Sequence, residues 1–161
     1  IECEGKQMTV AKQEDRLAGA KEQGQAQFES IKEMVETLRA ARDGNVVAND
    51  RGEEQDEESC ESRIHEDALS VEVRSDWYAP GTSTDSPERP TEYRILLCTG
   101  GPACQIVGKL NQHCEPETAV MQVQDWFQPW TDFHPRLADA RDSDDTMPIM
   151  LEYARCFWYG E

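Results

Sequence analysis

The stretch Leu69-Ser70-Val71-Glu72-Val73-Arg74-Ser75-Asp76-Trp77-Tyr78 decides the fold. Val71, Val73, Ser75 and Trp77 alternate with Glu72, Arg74, Asp76 and Tyr78, a period of two that predicts a strand with one buried face. Residues 79–90, rich in Pro, Ser, Thr and Gly, read as a loop. Beyond it, the run Tyr93-Arg94-Ile95-Leu96-Leu97-Cys98 predicts a central strand within Thr91–Thr99, apolar on both sides in its middle. The turn Thr99-Gly100-Gly101-Pro102 leads to a strand over Ala103–Leu110, and the turn Asn111–Pro116 to another over Glu117–Asp125. Connections this short favour an antiparallel meander of about four strands.

Upstream the period is helical. Phe28, Ile31, Val35 and Leu38 recur at three and four, one apolar stripe on a helix predicted over Glu22–Arg42 that can begin earlier. Val10, Leu17, Gly24, Ile31 and Leu38 also fall seven apart, the hint of a coiled-coil seam, but Gly24 interrupts it and Gly in a helix interior costs about 1 kcal/mol relative to Ala. Asp43–Gly52 reads as a linker, and Glu53–Asp67 as a short helix with Cys60, Ile64 and Ala68 inward. At the other end Met147, Met150, Leu151, Ala154, Phe157 and Trp158 predict a last helix, with Pro148 in its first turn and Gly160 as its stop. The side chains of Asp142–Thr146 are expected to cap it, because this run lacks the Gly and the final Glu of a calcium loop. The fold class expected is α+β: an antiparallel sheet covered on one face by helices, with residues 1–52 an N-terminal helical extension and linker, and 53–161 the α+β domain. Val71, Val73, Ile95, Leu97, Ile106, Met121, Val123, Met150, Leu151, Ala154 and Phe157 are the expected core.

The 161 residues carry 33 Asp and Glu against 16 Lys and Arg, a net charge of −17. That balance argues against direct binding to nucleic acid or an anionic membrane, both of which reward a basic surface. No apolar run approaches the length of a membrane span, so a soluble, cytoplasmic protein is expected, its start at Ile1 being processed or incomplete. Residues 43–67 hold ten acids against Arg51 and Arg63, about half of the whole excess.

Motifs for catalysis are sparse. Cys98, Cys104, His113 and Cys114 are zinc-type donors without the C-x-x-C spacing of a zinc site, so no metal and no cofactor is expected, and the six cysteines are expected to be free thiols. There is no G-x-S-x-G elbow, no G-x-G-x-x-G turn and no phosphate-binding loop. A Cys-dependent enzyme remains as an alternative, with Cys98 or Cys114 assisted by His113. Trp126 and Trp130, flanking Pro129 in an irregular segment beside carboxylates, are the aromatics best placed to anchor a contact.

Three segments, Ser70-Val71-Glu72-Val73-Arg74-Ser75, Tyr93 to Pro102 and Gln124-Asp125-Trp126-Phe127-Gln128-Pro129-Trp130-Thr131, together with the ending Tyr153 to Glu161, resemble a family of small acidic phage and prophage proteins of proteobacteria. The likeness covers roughly the C-terminal three fifths, and it carries no catalytic residue over. Combined with the charge, it implies an interaction protein, not an enzyme, that acts in the host bacterial cell. Such a protein would block a basic, nucleic-acid-binding host defence factor, a CRISPR effector or a restriction enzyme, by presenting carboxylates where phosphates would sit. The residues expected to meet that partner are Glu53, Glu54, Asp56, Glu57, Glu58 and Glu61 in the acidic window and Asp125, Trp126, Trp130 and Asp132 after the sheet. A second alternative is an accessory phage protein that self-associates through the helix of residues 28–42.

Overall fold

The computed structural model describes residues 3–75, 89–138 and 145–160. It is an α+β fold. A long helix, α1 (Cys3–Arg42), is followed by a two-stranded hairpin, β1 (Val47–Ala48) and β2 (Glu54–Gln55), and by helix α2 (Glu57–Asp67). Then come five strands, β3 (Ser70–Arg74), β4 (Glu92–Cys98), β5 (Ala103–Lys109), β6 (Val120–Gln124) and β7 (Thr131–Phe133), and a last helix, α3 (Met147–Ala154). The five strands pair antiparallel in sequence order, the meander that their short connections predict.

The sheet has five strands where about four are expected, because Thr131–Phe133 turns back after the aromatic segment and pairs with Met121–Val123. The expected linker also contains structure: Val47 and Ala48 pair with Gln55 and Glu54, so α2 begins at Glu57 and not at Glu53. Asp56 makes that start. Its carboxylate accepts a hydrogen bond from the Ser59 N–H at 2.8 Å, and hydrogen bonding to Ser59 holds its pKa below the ordinary carboxylate value. The cap is therefore complete at neutral pH and is lost in acid, as pH falls through the depressed pKa.

The helices cover one face of the sheet. Phe28, Ile31, Val35 and Leu38 are fully buried, in one core with Ile95, Cys104, Ile106, Met121 and Val123 from the strands and Tyr153 and Ala154 from α3. Burying each large side chain contributes roughly 1.5–3 kcal/mol. Residues on both sides of position 52 thus share one core. The apolar stripe of residues 28–42, named above for self-association, is buried here against the rest of the same chain. Gly24 marks a close approach of α1 to the sheet: a Cβ built there would lie 2.7 Å from Val123 Cγ1 and 2.9 Å from Phe133 Cδ1. The glycine that breaks the heptad pattern is what lets the helix lie on β6 and β7.

Three expected core residues fall short of full burial. Val73 is exposed and Val71 only half-buried, because β3 is an edge strand and the helices lie over β5 and β6. Phe157 is half-buried and Trp158 exposed, since α3 ends at Ala154 and the chain leaves the helical path there. Tyr159 returns to the core, its hydroxyl donating to the Ala154 carbonyl at 2.6 Å. Asp145 accepts from the Met147 N–H at 2.9 Å at the start of α3, while Asp142, Ser143 and Asp144 lie outside the described residues, as do Trp77 and Tyr78. No helix among the described residues is long and apolar enough to cross a membrane.

Candidate functional site

The acidic window is partly neutralised from within. Arg42, at the end of α1, reaches Glu57 at 2.9 Å and Glu61 at 2.7 Å, and Asn49 donates to Glu53 at 2.8 Å. With Asp56 occupied as a cap, four of the six carboxylates expected to face a partner serve the fold. Glu54 and Glu58 are exposed and have no partner among the described residues. Exposed pairs of this kind contribute little stability, about 0–1 kcal/mol. Their main effect is to leave a thinner acidic face than the sequence alone promises.

The segment after β6 is a tight turn, in which the Gln128 N–H donates to the Asp125 carbonyl at 3.0 Å. Trp126 and Phe127 occupy its two corner positions. Phe127 has φ 60°, a conformation that suits Gly or Asn and is uncommon for a bulky side chain. It is 98% exposed, and Trp126 is 58% exposed. Trp126 is steadied by Gly101 in the β4–β5 turn, where a Cβ would fall within 1.8 Å of the indole nitrogen. Trp130 is half-buried, as is Asp125. Asp132 lies on β7 and accepts from Gln122 Nε2 at 2.8 Å, so it faces the sheet and not the aromatic tip. Phe127 is the residue that the sequence does not single out, because nothing in Trp126-Phe127-Gln128-Pro129 marks which aromatic takes the corner.

The face of the sheet opposite the helices carries no helix among the described residues. Register places its outward side chains in three rows: Ser70, Leu96, Gln105, Gln122 and Asp132; Glu72, Arg94, Val107 and Val120; Arg74, Glu92 and Lys109. Arg94 pairs with Glu72, and Arg74 with Glu92. Much of this face lines a concavity of about 670 Å³. Gln105 Nε2 donates to Gln122 Oε1 at 2.8 Å, and Gln105 Oε1 is buried with no hydrogen-bond partner among the described residues. A buried acceptor left unpaired costs about 1–3 kcal/mol.

Cys98 and Cys104 are not set up as nucleophiles. Cys98 and Cys104 face each other across β4 and β5. Burial raises the Cys98 thiol pKa and pushes that of Cys104 up to about 12, the reverse of what activates a nucleophile. His113 is exposed, its ring nitrogen 3.1 Å from Gln112, and none of the hydrogen bonds among the described residues joins a thiol to a histidine ring. Treating the folded protein with iodoacetamide at neutral pH is therefore expected to leave Cys104 unmodified, as read by peptide mass mapping, and unfolding to expose it. Among the described residues no group of three or more His, Cys, Asp or Glu could hold a metal ion. No protein family, curated protein or solved structure matches the chain.

Proposed function

We propose that this is an acidic interaction protein that docks on a basic, nucleic-acid-binding protein and blocks its access to nucleic acid. The observation that carries the reading is Phe127, fully exposed at a positive φ beside the exposed Trp126. A bulky side chain held in a disfavoured conformation without burying any surface does nothing for the fold, and such positions cluster where a protein meets its ligand. Aromatic anchors of this kind supply most of the energy of an interface, and the surrounding carboxylates supply the approach. In this reading Glu54 and Glu58 steer, while Asp56, Glu57 and Glu61 hold α2 in place. The partner class is a host defence factor with a basic groove, a CRISPR effector or a restriction enzyme, and the protein acts as an inhibitor of the phage anti-defence kind.

The test is inhibition of nucleic-acid binding by purified effectors and restriction enzymes of that class. Phe127→Gly removes the anchor and relieves the backbone, so inhibition is expected to weaken at least tenfold with no loss of thermal stability. Glu54→Gln with Glu58→Gln should slow association and flatten its dependence on salt. Inhibition by Phe127→Gly as strong as that of the parent protein, or no inhibition of any member of the class, would overturn the reading.

A further inference from the structure

β3 is an edge strand, and no strand among the described residues pairs with its outer side. The Arg74 carbonyl accepts the Thr91 N–H at 2.9 Å, so Arg74 turns its backbone toward β4. Successive residues of a strand direct their backbone groups to alternate sides, so Glu72 does the same, and Val71 and Val73 present their N–H and C=O to the open edge. Val73 is also 46% exposed. An edge of this kind is a template for another strand unless its charges keep that strand away.

In one register the charges on this edge attract. Glu72 and Arg74 stand two residues apart on the sheet face opposite the helices. Where two β3 strands meet antiparallel, centred on Val73, Glu72 of each copy falls opposite Arg74 of the other. These are the close pairs, with Cα atoms about 4.5 Å apart and no backbone hydrogen bonds between them. Centring the strands on Glu72 or on Arg74 would set like charges opposite each other. Glu72 has an oxygen to offer, since Arg94 bonds its Oε2 and no described residue bonds its Oε1. Arg74, whose side chain is 78% exposed, reaches Glu92 through Nε, and a guanidinium has more N–H donors than one carboxylate can use. Register extends the pattern: Lys109, Glu92 and Arg74 of one copy run on into Glu72 and Arg94 of the other, alternating in sign along the whole row.

We propose that two copies of this protein join by their β3 strands, antiparallel about a two-fold axis at Val73, into one continuous sheet. The two Val73 residues exchange backbone hydrogen bonds at the axis, and Val71 of each copy meets Ser75 of the other. Two Glu72–Arg74 pairs flank the axis on the open face. α1 packs over β5 and β6, away from the joined edge. The aromatic turn between β6 and β7 lies toward the far side of each sheet, so the dimer does not depend on the function proposed above. A five-residue edge buries less than the roughly 1,200–2,000 Å² of a stable interface, so the dimer is weak, half formed at about 100 µM.

Sedimentation equilibrium from about 10 µM to about 500 µM, at physiological salt, is expected to show a reversible monomer–dimer equilibrium. Glu72→Arg alone and Arg74→Glu alone each put like charges in both close pairs, and each should weaken the dimer about tenfold or more. Mixed one to one, the two variants bring opposite charges together again, so a heterodimer should form with an affinity within about threefold of the parent's. Misfolding of either variant cannot produce that rescue. Val73→Pro removes an N–H that faces the open edge and none that β4 uses, so it should abolish the dimer and leave the melting temperature close to the parent's. A parent protein that is monomeric throughout the range would overturn the proposal. So would single charge variants or Val73→Pro that dimerise like the parent, which would place the contact elsewhere, or a one-to-one mixture of folded variants no more associated than either alone.

Discussion

Gly108→Ala is expected to lower the unfolding free energy by about 3 kcal/mol, at the upper end of what an added methyl costs in a packed site. A Cβ at this position would lie 1.8 Å from the backbone oxygen of Thr118 and 2.6 Å from Tyr93 Cε1. The first of these is main chain and cannot swing aside. That same oxygen accepts the Tyr93 hydroxyl at 2.7 Å, and Thr118 Oγ1 accepts the Lys109 N–H at 2.9 Å. Room for a methyl group therefore means parting β5 from the segment that feeds β6. The measurement is urea unfolding with Gly19→Ala as the companion. Gly19 lies in α1 with nothing within 4 Å, so there the helix propensity of Ala is expected to raise stability by about 1 kcal/mol. Equal stability of Gly108→Ala and the parent would show that the sheet yields at this point.

The second large effect is expected at α3. Tyr153 is fully buried, its ring is 5.4 Å from that of Phe157, and its hydroxyl donates to Asp67 Oδ2 at 2.7 Å, which ties α3 to the end of α2. Tyr153→Ala leaves a ring-sized cavity and should cost about 3–5 kcal/mol. Tyr153→Phe removes only the hydrogen bond and should cost about 1 kcal/mol, because the half-buried Asp67 can turn to water. The two variants, measured by thermal and chemical denaturation, separate packing from polar contact. If both cost the same, the hydroxyl and not the ring would be what joins the helices.

Most of the sheet was legible because its strands alternate or run apolar between marked turns, as Val71 to Arg74 and Ile95 to Cys98 do. The strand at Thr131–Phe133 was not, since three residues after a Pro and two Trp give no period to read. The stripe Phe28, Ile31, Val35 and Leu38 was plain, but its destination was not: a pattern tells which face of a helix is apolar and is silent on whether a sheet or a second chain covers it. Gly24 read as a weakness because propensity describes an isolated helix, whereas its use lies in the contact with Val123 and Phe133. At the candidate sites, the acidic residues could be counted from sequence but not their pairing with Arg42 or Asn49. Trp126 stood out by type. Phe127 and Gln105 did not, since a positive φ and an unsatisfied oxygen belong to three-dimensional placement and leave no mark in a string of residues.

The contact at Gly24 also sets a ruler. A residue with a side chain could occupy the crossing with β6 and β7 only if Val123 or Phe133 gave way, so Gly24 favours one rotation and one sliding position of the helix on the sheet. One residue added or removed between Gly24 and Phe28 would turn everything on one side of the change by about 100° relative to the other. Either the crossing or the apolar stripe would then be misplaced. The spacing of that short segment is therefore constrained to the residue, even where, as at the exposed Ala26, the side chain itself is not.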